Sequence, residues 1–140
     1  MSSSTSNSAY TVPRSATSPK HLIQRSLSTS AAGPRQVLVR LTAASLNYRD
    51  LLVVKRSPEY PGIDGLPGNH SANLVPCSDG AGIIHIVGAA SIWAGREGTS
   101  VLLHPNEWLS GDVRNLDLTK VFGAADYDGA FSFESSNSLS

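Results

Sequence analysis

The stretch from Gln36 to Leu52, QVLVRLTAASLNYRDLL, does most to limit what this chain can fold into. It opens on an alternation in which Val37, Val39 and Leu41 face one way and Leu38, Arg40 and Thr42 the other, the period of a strand. After Ala43, Ala44 and Ser45 the period changes. Leu51 and Leu52 fall three and four residues beyond Tyr48, a spacing that suits one or two helical turns. A strand therefore runs into the polar cluster Asn47-Tyr48-Arg49-Asp50. Two readings of that cluster stand side by side. Asn47 can be a helix cap with Asp50 three residues on, at the position the helix dipole favours; or the four polar side chains at a strand end form a site.

The rest of the chain repeats the theme of short strands between breakers. In Pro76 to Gly88, PCSDGAGIIHIVG, the small residues Gly80, Ala81 and Gly82 permit close backbone approach at a turn, and Ile83 to Val87 reads as a buried strand ended by Gly88. His85 is a strand histidine in this reading. Thr99 to His104 is a further strand closed by Pro105, Asn106 to Asp112 a polar turn carrying Trp108, and Gly123 to Phe133 a turn leading into a short apolar piece. Between Lys55 and Val75 prolines and glycines crowd without periodicity, the mark of a long loop. The sequon Asn69-His70-Ser71 within it has no meaning in a cytosolic chain. The pattern predicts a mainly β fold, a partly open barrel with short helical turns.

Composition bounds the ends. A chain of 140 residues suffices for one ordinary domain. Fourteen of the first thirty residues are Ser or Thr and none is acidic, so residues 1–18 are expected to be disordered, within a Ser/Thr-rich tail over 1–35. Leu22 to Leu27 is the remnant of a first strand inside that tail; a mitochondrial transit peptide is the competing reading, against which Pro13 and Pro19 interrupt any amphipathic helix. The domain proper is expected over 36–134, followed by a solvated tail over 135–140. Six Lys or Arg precede the first acidic residue, Asp50, but none forms a cluster denser than Lys55-Arg56, which excludes a nucleic-acid interface of the usual kind. The single cysteine, Cys77, rules out an internal disulfide and a Cys-rich zinc lobe. No apolar run approaches the ~20 residues of a membrane helix.

VLVRLTAASLNYRDLL followed by VPCSDGAGIIHIVG resembles the medium-chain dehydrogenase/reductase superfamily in its N-terminal GroES-like domain, and within it the zinc-free, NAD(P)-dependent alcohol dehydrogenase and quinone oxidoreductase-like proteins. With a weaker match from Trp93 to Phe131, the resemblance spans about two thirds of the chain. It implies that Asn47 and Asp50 lie at the cleft where nicotinamide meets substrate and take part in catalysis. Tyr48 and Arg49 would lie beside the cofactor, and Ser78 and Asp79 would form a substrate-side turn in which Asp79 accepts backbone N–H bonds. The zinc branch has Cys where this chain has Asn47 and a His-Glu pair at Ser78 and Asp79, so no zinc is expected. The implied substrate is a small carbonyl compound or quinone, with neither nucleic acid nor membrane as partner. A cytoplasmic location is implied.

Departures from the pattern are as informative. VGAASIWAGREGTSV is two residues longer than the family's equivalent, with Thr99 and Ser100 where Asp and Arg are expected, and the loop after Lys55 carries an insertion. No Gly-x-Gly-x-x-Gly fingerprint occurs, so a Rossmann cofactor domain is absent from these residues. The expected function is thus the substrate-side domain of an NAD(P)-dependent oxidoreductase, inactive alone and prone to associate through the face such a domain would cover. The alternative is a non-catalytic β-barrel module that binds a partner protein or a related full-length subunit.

Overall fold

A computed structural model describes residues 6–29, 31–60, 70–105, 112, 114, 121–124, 127–130 and 134–137. Its elements in chain order are β1 (Ser6–Thr11), a 3-10 turn (Pro19–His21), β2 (Ile23–Ser28), β3 (Val37–Ser45), α1 (Tyr48–Val54), β4 (Asp79–Val87), β5 (Ser100–Leu102) and β6 (Glu134–Asn137). They form two open antiparallel sheets, a β1-β2 hairpin and a four-stranded sheet in the order β5-β4-β3-β6. The fold is mainly β, as expected. Among the described residues the sheets do not close into a barrel.

β3 is central because the alternation set out above is real. Val37, Val39 and Leu41 are buried and join Cys77, Ile84, Leu103 and Ala130 in the main core, while Arg40 and Thr42 are exposed. Leu38, on the other face, is also buried. β4 pairs along β3 from Val37↔Val87 to Ser45↔Asp79, with two register shifts that accommodate the strand's bend. Gly82 sits between those shifts, where a Cβ would meet the Arg40 carbonyl oxygen at 2.4 Å. Gly80, Ala81 and Gly82 therefore lie within a strand and not at a turn, although the close approach they permit is present. Of β4, only Gly82 and Ile84 are fully buried, and His85 and Ile86, around the first register shift, are exposed.

The chain ends differ from the expectation. Residues 6–12 are ordered: β1 pairs with β2 from Ser6↔Ser28 to Thr11↔Ile23, and Val12, fully buried, donates its N–H to the Leu74 carbonyl at 2.8 Å. Asn7, Ala9 and Thr11 are buried while Tyr10 between them is exposed, so a strand period exists, but it is written in small and polar residues that carry no hydropathy signal. A strand does lie where Leu22 to Leu27 was placed, and its partner comes from the same supposed tail. At the other end, β6 pairs Val37↔Asn137 to Arg40↔Glu134, so residues expected as solvated tail complete the sheet. Trp108, most of the turn around it and most of the insertion after Lys55 lie outside the described residues.

α1 buries Asp50, Val53 and Val54, whereas Leu51 is 39% exposed; the inward face is one residue out of step with the Leu pair that the spacing favoured. Val53 packs with Leu74 and Ala124, and Val54 with Val12, Ala16 and Leu22, so the two valines join the helix to both halves of the molecule. The helix ends in a Schellman arrangement, Ser57 N–H to Leu52 O at 2.9 Å and Arg56 N–H to Val53 O at 3.0 Å. Glycine is usual at the left-handed position of this motif. Here it is Arg56, at φ 50°. Its guanidinium explains the choice, donating to the carbonyls of Val12 (3.3 Å), Pro13 (3.2 Å), His70 (2.8 Å) and Ser71 (2.9 Å). One side chain thus ties the end of β1 to the segment that follows the long loop.

His70, with no exposed surface, lies beside Arg56 and Arg49, and its ring is 6.2 Å from that of Tyr60. Burial, reinforced by Arg56 and Arg49, pushes its pKa down to about 4.

Two outcomes follow. Arg56→Gly removes the left-handed strain but leaves four carbonyls without their donor, and should lower stability by about 1–3 kcal/mol in urea denaturation; a stabilised variant would show that the guanidinium contributes little. His70 is neutral when folded and binds a proton readily when unfolded, so its contribution is complete above pH ~6.5 and falls as pH drops toward 4, by roughly 1–2 kcal/mol. Denaturation at pH 7 and pH 5 should show this loss, and His70→Leu should reduce the slope.

Candidate active site

The sheet register assembles the site. Because Ser45 pairs with Asp79, the residues just past the end of β3 meet those at the start of β4, and Asn47 comes alongside Ser78 and Asp79 although more than thirty residues of chain separate them. The Asn47 amide donates through Nδ2 to Asp79 Oδ2 at 2.8 Å and more weakly to the Ser45 carbonyl at 3.4 Å. The Ser78 hydroxyl donates to the same Asp79 oxygen at 2.7 Å. Asp79 thus receives side-chain donors, whereas the sequence suggested backbone N–H groups; its place in a strand commits its neighbours' backbone groups to the ladder instead.

Beneath this pair lies a second carboxylate. Asp50, 5% exposed, accepts the Asn47 backbone N–H at 2.8 Å, closing the first turn of α1, and its other oxygen is 3.3 Å from Arg49 Nη1. Arg49 is turned inward: Nε donates to the Tyr60 hydroxyl at 2.6 Å, Nη2 to the Phe122 carbonyl at 2.7 Å, and the guanidinium carbon is 5.0 Å from the centre of the Tyr60 ring. Its donors are engaged within the protein, so it holds Asp50 and the 121–124 segment in place. Asn47 and Tyr48 are turned outward, Tyr48 with 73% exposure and its neighbour Leu46 with 70%. The six residues singled out in the sequence therefore divide into an outer set, Asn47, Tyr48 and the edge of Asp79, and an inner supporting set, Arg49, Asp50 and Ser78.

Sequence reasoning gave Cys77 no place in this cluster, yet it is central. Its buried thiol lies 3.8 Å from Asp50 Oδ2 and 3.5 Å from the Ser45 carbonyl, and its backbone adopts φ 83°. Burial first, then the carboxylate of Asp50, push the thiol pKa up to about 12. The backbone of this residue is gripped from outside: Ala130 N–H donates to its carbonyl at 2.8 Å, and Gly129 passes so close that a Cβ there would meet that oxygen at 2.0 Å. The only hint in the sequence was the presence of glycines at 123 and 129, far along the chain.

These groups suit some chemistry and not other chemistry. Ser78 spends its one hydroxyl proton on Asp79, so the outward donors are the Asn47 amide and the exposed Tyr48 hydroxyl, neutral groups of the kind that hold a carbonyl oxygen. The donor set at Asn47, Ser78 and Asp79 is an amide, a hydroxyl and a carboxylate already bonded to one another, and contains neither the histidine nor the thiolate that zinc prefers. Among the described residues no group of three or more His, Cys, Asp or Glu side chains is arranged to hold a metal. Nor, among them, is any helix long and apolar enough to cross a membrane.

Comparison with known proteins agrees with this architecture. Residues 33–133 match the alcohol dehydrogenase GroES-like domain. A zinc-type alcohol dehydrogenase-like protein of Schizosaccharomyces pombe is 54% identical over 55 residues, which cover 39% of this chain and 14% of that protein. A crotonyl-CoA carboxylase/reductase superposes with a TM-score of 0.74 at 21% identity over 94% of this chain, and a thermostable alcohol dehydrogenase from Pyrobaculum aerophilum with 0.71 at 16% over 95%. The chain spans 32% and 39% of those two structures, well under half of each. It belongs to the alcohol dehydrogenase GroES-like domain family, within the medium-chain dehydrogenase/reductase superfamily.

The environment of Cys77 makes it inert while the chain is folded. Iodoacetamide at pH 8 should label it at least a hundredfold more slowly than in urea-unfolded protein, since only the thiolate reacts. Comparable rates in both states would show that the thiol is neither buried nor protonated.

Proposed function

We propose that this chain supplies the substrate-side wall of an NAD(P)-dependent oxidoreductase active site. The observation that carries the reading is the Asn47–Asp79–Ser78 network, which brings together the two motifs that the family resemblance assigned to the cleft. Asp79 fixes the Asn47 amide, and the buried Asp50 holds the backbone beneath it. The exposed Tyr48 hydroxyl, and the second N–H of Asn47, held only weakly by the Ser45 carbonyl at 3.4 Å, then present donors to the carbonyl oxygen of a substrate and stabilise negative charge that grows on it as reduction proceeds. A pyridine nucleotide supplies the hydride when bound. The outer residues fit its nicotinamide end, which needs a flat, partly apolar surface with a few hydrogen-bond donors. Solved structures in this fold group include a crotonyl-CoA carboxylase/reductase in complex with NADP, which supports a nicotinamide cofactor for the group.

The pyrophosphate is another matter. Glycine-rich turns that open a helix toward phosphate have no counterpart in this sequence, and the first turn of α1 is closed by Asp50, a carboxylate that repels phosphate. Binding through the nicotinamide end alone does not offset the ~4 kcal/mol or more lost on immobilising a ligand. A cofactor-bearing domain, covalently continuous or not, completes the site, and the exposed Leu46 and Tyr48 are the surface it would cover.

In a fluorescence titration of the 140-residue chain with NADPH, no saturable change is expected up to roughly millimolar concentration. Quinone reduction by the chain alone should stay at background. Micromolar binding, or turnover that disappears in Asn47→Ala, would show that these residues hold a complete site.

A further inference from the structure

Beside the polar network lies an open cleft of about 150 Å³ between the 3-10 turn and α1. Pro19 and Leu22 line it from the 3-10 turn and its end, Leu51 and Val54 from α1, together with Leu46 and Pro76. Asn47, Asp50 and Cys77 border it but turn their polar atoms elsewhere, the amide toward Asp79, the carboxylate toward the Asn47 N–H and Arg49, and the thiol toward Asp50 and the Ser45 carbonyl. The surface that remains is almost wholly hydrocarbon. Its size is that of a cavity that holds one benzene-like ring.

We propose that this cleft binds a small uncharged molecule with a hydrocarbon body the size of a six-membered ring, and that Leu22 of the N-terminal segment sets that size. A charged group would have to leave water for a surface without polar partners, and Asp50, 5% exposed, is paired with Arg49, so neither a cation nor an anion finds an opposite charge free to meet it. The Leu22 wall is firmly placed, since Leu22 packs with Val12, Ala16 and Val54, and Arg56 fastens Val12 and Pro13 to the body of the protein. Segments that precede β3 therefore select the ligand, and not only the residues of the two motifs. Identifying the bound ring as the body of a carbonyl substrate rests on the proposed function; occupancy of the cleft does not.

The test uses the 140-residue chain without cofactor. Cyclohexanone, cyclohexanecarboxylate and cyclohexylammonium, three compounds of nearly equal shape, are titrated while Ile, Leu and Val methyl signals are followed by NMR. Cyclohexanone should shift Leu22, Leu51 and Val54 saturably in the roughly millimolar range, with both ions at least tenfold weaker. Leu51→Trp, at a position exposed enough to accept the larger ring, should abolish the shifts and leave the remaining spectrum folded; Leu22→Trp serves if that variant unfolds. Shifts spread over the exposed Ile92 and Leu102 as strongly as over the cleft, equal affinity for the ions, or unchanged binding in the Trp variant would each overturn the proposal. A failure here leaves the nicotinamide reading intact, and NADPH binding by the chain alone leaves the cleft intact.

Discussion

Everything in the described fold hangs on the antiparallel pairing of β3 with β4. It buries Val37, Val39 and Leu41 against Ile84, and by ending at Ser45↔Asp79 it decides which polar residues meet beyond the last rung. A slip of one residue would turn every one of those side chains to the opposite face. Two shifts in register make the pairing less regular than a ladder, and Gly82 lets the bend close without a clash. The position of Asn47 opposite Ser78 is thus a consequence of core packing.

The polar cluster Asn47 to Asp50 shows that a helix cap and a binding site need not compete for the same residues. Asp50 closes the helix by accepting the Asn47 N–H, and that contact holds the Asn47 side chain toward Asp79. Arg49, whose charge looks available in the sequence, is instead consumed by Asp50, Tyr60 and Phe122. A buried carboxylate needs such a counter-charge, and one guanidinium supplies it together with a link to a distant segment.

Much of this was legible because alternation and motif spacing act locally. Val37 to Thr42 announced β3, the small residues at 80–82 announced a close approach, and Asn47 with Asp50 announced a helix start. What was not legible depended on partners remote in sequence. β1 carries its period in Asn7, Ala9 and Thr11, which bury well only because β2 and Leu74 cover them. β6 is four polar residues that become a strand because β3 offers a free edge. Arg56 looked like half of a surface pair, since nothing near it reveals four carbonyls converging from residues 12, 13, 70 and 71. The importance of Cys77 depends on Gly129 passing over its carbonyl, a contact no local pattern encodes.

The attachment of β1 through Val12, Leu74 and Arg56 sets an order of events when the chain is made. The ribosome releases the N-terminus first, and β1 can pair with β2 as soon as Ser28 has emerged, since a hairpin closes in microseconds. Its anchor, however, is not yet synthesised: Leu74 follows Val12 by some sixty residues, seconds of translation at ~5–20 residues per second. During that interval Val12 has Ala16, Leu22 and then Val54 to pack against but lacks the Leu74 carbonyl that fixes its N–H, and a two-stranded hairpin alone is marginal in water. Serine and threonine in place of larger apolar residues keep the waiting hairpin from sticking to other nascent chains. The composition that disguised this segment as a tail is thus what allows it to be made first and docked last.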